Sequence, residues 1–66
     1  MTQKDQLKLM AQGFRIVRID LFRMAIKEKR HHASDGWKII EKDFKTKKSL
    51  AERMQELLTD PLTVED

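Results

Sequence analysis

Four groups of residues in this chain have the types from which chemistry is built. They are the pair His31-His32 beside Asp35, the serines Ser34 and Ser49, the two glycines, and a dense set of lysines and arginines. A protein zinc site needs three or four ligands at helix or strand spacings. Adjacent histidines point in different directions along a strand, and no third ligand follows at a recognised interval, so His31-His32 reads as a solvated loop pair. A serine nucleophile needs a base and a sharp strand-to-helix elbow. Neither serine sits in such a motif, and both read as surface or capping residues. Two glycines are too few for a phosphate-cradling loop, and the absence of cysteine removes thiolate metal sites and disulfides. The expectation is a non-enzymatic protein with no cofactor and no metal.

The basic residues remain, and their distribution is uneven. Net charge is +3 over 66 residues, yet Arg15 to Lys48 holds eleven basic against five acidic residues, a surplus of +6. From Ser49 to Asp66 only Arg53 opposes Glu52, Glu56, Asp60, Glu65 and Asp66. A basic middle beside an acidic end suits an anionic partner for the middle.

The elements that would position these charges can be read from pattern and caps. Thr2 and Asp5 resemble a capping box, Gly13 suits a left-handed helix end, and a short helix over residues 3–12 follows. Val17, Ile19 and Leu21 alternate, then Met24 and Ile26, giving strands near 14–20 and 22–29, although no Gly, Asn or Pro marks the turn near Asp20. Asp35-Gly36 signals a turn before a third strand near 37–44. Ser49 and Glu52 form a second capping box ahead of Leu50, Ala51, Met54, Leu57 and Leu58, and Asp60-Pro61 ends that helix. Residues 60–66 read as a tail, with Leu62 and Val64 available to dock it.

The chain is thus expected to be one small α+β domain over residues 1–66. A short N-terminal helix precedes a three-stranded antiparallel sheet, and a C-terminal helix packs on one sheet face. Val17, Ile19, Leu21, Met24, Ile26, Trp37 and Ile39 would lie beneath that helix, with Trp37, Met54, Leu57 and Leu58 in one core. Arg18, Arg23, Lys27, Lys29, Lys38 and Lys42 would line the other face, with Ile16 and Ile40 among them. The alternative is an all-α helical hairpin that dimerises into a bundle, because Leu7, Met10, Phe14, Val17, Leu21 and Met24 step by heptad spacings. Gly13 in mid-helix, the apolar run from Phe14 to Ile26, and the polar break at Lys45–Ser49 favour the mixed fold.

Trp37 in a strand, Phe44 at its end, Lys45-Thr46-Lys47-Lys48 and Ala51 in the next helix resemble the arm-type DNA-binding domain of tyrosine integrases. The resemblance covers about residues 36–58. It implies a three-stranded sheet with one C-terminal helix, and duplex contacts from Arg18, Arg23, Lys27, Lys38 and Lys42. It brings no recombinase activity, since no catalytic domain accompanies it.

Two functions follow as expectations. The first is an accessory protein that binds DNA or RNA through the basic sheet face, where Lys and Arg neutralise phosphates and release counterions. Lys45, Lys47 and Lys48, at the start of the last helix, form a rival site, because a helix N-terminus attracts anions. The second is a protein–protein adaptor or structural homodimer whose charges only maintain solubility. No window approaches the ~20 apolar residues of a membrane span, and the N-terminus lacks a secretory apolar run, so a cytoplasmic location without membrane partners is expected.

Overall fold

A computed structural model describes residues 2–30 and 36–66. Along the chain run α1 (Gln3–Ala11), β1 (Arg15–Asp20), β2 (Ala25–Lys29), β3 (Lys38–Glu41), α2 (Lys47–Leu57) and β4 (Thr63–Glu65). The class is mixed α+β, and the long helices of the bundle alternative are not formed. The sheet has four strands in the order β3-β2-β1-β4, with β4 parallel to β1 and the other pairs antiparallel. A three-stranded antiparallel sheet is therefore close but incomplete.

The fourth strand comes from residues read as a tail. Asp60 closes a turn around Pro61, its Oδ1 accepting from Leu62 N–H at 2.9 Å and its carbonyl from Thr63 N–H at 3.0 Å. Thr63, Val64 and Glu65 then pair with Arg15, Ile16 and Val17. Three residues are too short to register as a strand by alternation. Pairing with a strand already in place is what orders them.

At α1 the Thr2 cap and the Gly13 helix end form, without the reciprocal Asp5 bond of a capping box among the described residues. Thr2 Oγ1 accepts from Asp5 N–H at 3.1 Å, and Gly13 adopts φ +95°. Phe14 N–H reaches Leu9 O at 3.1 Å and Gly13 N–H reaches Met10 O at 3.0 Å, the paired bonds of a Schellman end. At α2 the cap differs from the Ser49–Glu52 expectation. Thr46 is the N-cap, its Oγ1 accepting from Ser49 N–H at 3.1 Å while Ser49 Oγ accepts from Thr46 N–H at 3.4 Å. The helix gains Lys47, Lys48 and Ser49 at its start, and Leu50 and Met54, one turn apart, are fully buried.

The turn between β1 and β2, unmarked by Gly, Asn or Pro, is made by Asp20. Its Oδ1 accepts from the N–H groups of Phe22 at 3.1 Å and Arg23 at 3.2 Å. An aspartate that bonds the backbone two residues on imitates a backbone turn. Met24 completes the reversal at φ +48°, a left-handed conformation that costs a non-glycine residue energy.

Both faces of the sheet are covered. Ile16 and Val17 are neighbours in β1 and both fully buried, as are Ala25 and Ile26 in β2. Neighbours in a strand point to opposite faces, so each face needs its own cover. Val17 and Ile26 pack with Leu50 and Met54 of α2, bordered by Ile19, Met24, Ile40, Phe44, Leu57 and Leu58. The opposite face meets α1, where Met10 and Gln6 are buried and Lys29 Nζ bonds Gln6 Oε1 at 3.2 Å.

Three core expectations need correction. Trp37 is half-buried and lies on the α1 face, its ring centroid 4.4 Å from Arg18 Cζ. Leu21 is exposed in the turn. Ile39 and Ile40 exchange roles: Ile39 pairs with Lys27 and is exposed, whereas an irregularity in the β2–β3 register turns Ile40 toward α2.

Leu50→Ala or Met54→Ala should destabilise the domain by about 2–5 kcal/mol, the range for emptying a buried aliphatic site. Trp37→Ala should cost less than either. Thr46→Ala should cost about 1 kcal/mol as a lost N-cap, with Glu52→Ala near neutral. Urea denaturation of the five variants checks both assignments.

Candidate functional site

The predicted basic residues separate into two populations. On the α1 face, three of them are engaged within the fold. Arg18 donates through Nε to Asp66 Oδ2 at 2.8 Å, forms an ion pair with the same carboxylate through Nη2, and carries Trp37 on its guanidinium plane. Lys29 is held by Gln6 and lies 5.9 Å from the Trp37 centroid. Lys27 Nζ sits 3.3 Å from Asp20 Oδ2. The open basic sheet face of the sequence expectation is thus partly covered and engaged, because α1 lies on part of it, Asp66 and Asp20 hold Arg18 and Lys27, and the Gln6 amide holds Lys29.

The same holds for every arginine in the chain. Arg15 bridges β4 to β2, donating to Thr63 Oγ1 at 3.1 and 3.2 Å and to Glu28 Oε2 at 3.3 Å. Arg30 Nε reaches the other Glu28 oxygen at 3.2 Å. Arg53 ties α2 to β3 through both Glu41 oxygens, at 3.0 and 2.8 Å, and also holds Glu56. Arg23 pairs with Asp20 at 3.3 Å, though its side chain remains 60% exposed. The planar guanidinium suits this work, since its fork satisfies carboxylates from two directions.

The second population is all lysine. Lys38, Lys42, Lys45, Lys47 and Lys48 are exposed and pair with no carboxylate among the described residues. Asp43 is the single acid of this run without an ion pair there, since Glu41 is held by Arg53. Lys38 stands apart at the start of β3, opposite Glu28. The other four follow β3 and enter α2. Phe44 N–H bonds Met24 O at 3.3 Å, which fastens this run beside the β1–β2 turn and its neighbour Arg23.

Lys47 and Lys48 occupy the first two positions of α2, and its first turn contains no acidic residue. The positive end of the helix macrodipole disfavours cations there by about 0.3–1 kcal/mol each. The chain therefore holds like charges together at its least favourable place, and an anion bound there would relieve them. The sequence shows the lysine run plainly; which cations are neutralised in the fold is invisible to it.

Among the described residues, no group of three or more His, Cys, Asp or Glu is placed to hold a metal, and no helix is long and apolar enough to cross a membrane. His31, His32, Ser34 and Asp35 lie outside the described residues.

Two of the carboxylates that anchor the engaged cations, Asp20 and Asp66, titrate below the ordinary aspartate range. For Asp20, partial desolvation pushes the carboxyl up, but hydrogen bonds from Arg23 N–H and Lys27 and the charges of both residues outweigh it. For Asp66, the Arg18 hydrogen bond leads, burial opposes it, and Gln6 and the Arg18 charge add to the lowering. A carboxyl depressed in the folded state stabilises the fold above its unfolded pKa and loses that contribution as pH falls through the folded value. Stability should be level above about pH 5 and should fall below about pH 4. Asp20→Asn, which keeps the turn acceptor, and Asp66→Asn should each flatten that decline in urea melts between about pH 2.5 and 7, and added salt should shrink the difference.

Comparison of the chain with protein-family models, with curated proteins and with solved structures returns no match.

Proposed function

We propose that this is a small non-enzymatic accessory protein that binds nucleic acid through Arg23, Lys42, Lys45, Lys47 and Lys48. One observation carries the reading. Arg18, Lys27 and Lys29 are engaged within the fold and Arg23 stays 60% exposed beside Asp20, whereas four lysines with no carboxylate partner among the described residues lie at and before the N-terminus of α2, where the helix itself disfavours them. Phosphates answer that arrangement, because lysine ammonium groups act as point charges on them and the first N–H groups of a helix accept anions. The interface is the rival site of the sequence expectation, with Arg23 and Lys42 joined to it. Arg18, Lys27 and Lys29 act instead as internal struts, and Lys38 lies outside the cluster.

Self-association is the second reading. The sheet has two outer strands, β3 and β4, and Ile39 and Leu62 beside them are exposed. Edge strands present unpaired backbone groups to a second chain.

Titration of labelled DNA and RNA oligonucleotides, duplex and single-stranded, at 50 and 200 mM salt tests the first reading. Four phosphate contacts should lose about 100-fold in affinity on duplex between these conditions. The triple variant Lys45→Glu, Lys47→Glu, Lys48→Glu should abolish binding while leaving stability unchanged or higher, since acids suit a helix N-terminus by about 0.3–1 kcal/mol each. Absence of binding to any oligonucleotide at low salt discards the reading. Mass that rises with protein concentration in sedimentation favours the second.

A further inference from the structure

The β1–β2 turn ends in an aromatic side chain with no role in the fold. Phe22 is 95% exposed and its neighbour Leu21 is 56% exposed. Single exposed apolar residues are ordinary on protein surfaces, so exposure alone assigns nothing. Two further observations set Phe22 apart. Its backbone is fixed, because the Asp20 carboxylate accepts from the N–H groups of Phe22 at 3.1 Å and Arg23 at 3.2 Å. The other oxygen of that carboxylate is held at 3.3 Å by both Arg23 and Lys27, so the turn is braced from the sheet as well. The ring is presented on a prepared backbone, and little ordering of the turn remains to oppose binding.

The second observation is its neighbourhood. The bond from Phe44 N–H to Met24 O seats the lysine run beside this turn. Chain geometry limits the Cα separation of Phe22 and Lys45 to about 18 Å, which one binding site of about 4–16 nucleotides spans. Among the described residues, Trp37 already stacks on Arg18 and borders Lys29, and Phe44 packs against the core beneath α2.

We propose that Phe22 is a base-stacking residue, receiving an unpaired base of a single-stranded nucleic acid whose phosphates are held by Arg23, Lys42 and Lys45. This inference rests on the nucleic-acid reading above and adds a preference to it. A duplex encloses its base faces in the stack, so an exposed ring on a turn finds a π-face only where bases are unpaired. Charge supplies affinity without strand preference, and the ring supplies the preference. A lipid surface also attracts lysines beside exposed apolar residues. Two adjacent apolar side chains on one tight turn are a small area for insertion, and one flat ring matches one base.

The test uses the full chain and a labelled oligothymidylate of about 12 nucleotides, within the size range of single-strand sites, together with a duplex of the same length. Wild type should prefer the single strand. Phe22→Ala should weaken single-strand binding by about 5- to 150-fold, equivalent to a base–aromatic stack of about 1–3 kcal/mol. It should leave duplex binding and the salt slope unchanged. Phe22→Trp should retain the preference, whereas Phe22→Leu, which keeps apolar bulk without a ring face, should lose it. If Lys45→Glu, Lys47→Glu, Lys48→Glu abolishes binding but Phe22→Ala changes nothing, the stacking role is overturned and the nucleic-acid reading survives. If no oligonucleotide binds, both fall. Retained affinity in Phe22→Leu, or Phe22-dependent binding to phosphatidylserine vesicles without oligonucleotide binding, also overturns the stacking assignment.

Discussion

Everything in this fold is arranged around β1, which is hydrogen-bonded on both edges and buried on both faces. Ile16 and Val17 sit side by side with no exposure, one toward each helix. A strand in that position has no solvent side. It requires a second helix on the far face and a second partner on its outer edge. α1 and β4 meet those two requirements, and a domain of 66 residues thereby acquires two thin cores instead of one thick one. Polar ties across the sheet join the elements that form these cores. Arg15 links Thr63 to Glu28 across three strands, and Arg53 links α2 to β3.

The two cationic residue types divide the labour along lines set by their chemistry. Arginine, with a rigid fork of donors and a charge that persists at any ordinary pH, is used to join elements. Lysine, a hydrated point charge on a flexible stem, supplies the outward positive surface. Composition counts fourteen such residues as one basic population. In the fold the arginines pair with carboxylates from Asp20 to Asp66, and five of the lysines without such a partner among the described residues lie between Lys38 and Lys48. That concentration opposes the α2 macrodipole, a conflict between local electrostatics and fold of the kind that marks sites used for something other than stability.

Asp20 connects the stability of the sheet to the presentation of the surface. One of its oxygens shapes the turn and the other gathers Arg23 and Lys27. A charged residue replaces the glycine that such a turn ordinarily uses, and Met24 carries the left-handed conformation that results. The turn is therefore stiffened by side-chain bonds, and the exposed segment Leu21–Arg23 is held in place where a glycine turn would leave it loose.

What the sequence determined is what short range decides. The α1 caps at Thr2 and Gly13, the apolar positions of α2 and its end before Asp60-Pro61, and strands within the expected ranges 14–20, 22–29 and 37–44 all follow from caps, spacing and backbone preference, although the third strand spans only Lys38–Glu41. The lysine run was equally legible. The tertiary structure decided what depends on partners distant in sequence. Residues 63–65 became a strand only because β1 offered an open edge. Trp37 left the α2 core because Arg18 and Lys29 flank it on the opposite face. Arg18, Lys27 and Lys29 read as surface cations until Asp66, Asp20 and Gln6 were brought to them. A trace of the double coverage lay in the chain, in the adjacent apolar pairs Ile16-Val17 and Ala25-Ile26, which break the alternation of a strand with one wet face. Which helix covered which face stayed hidden, because burial and ion pairing depend on proximity in space, and sequence records only proximity along the chain.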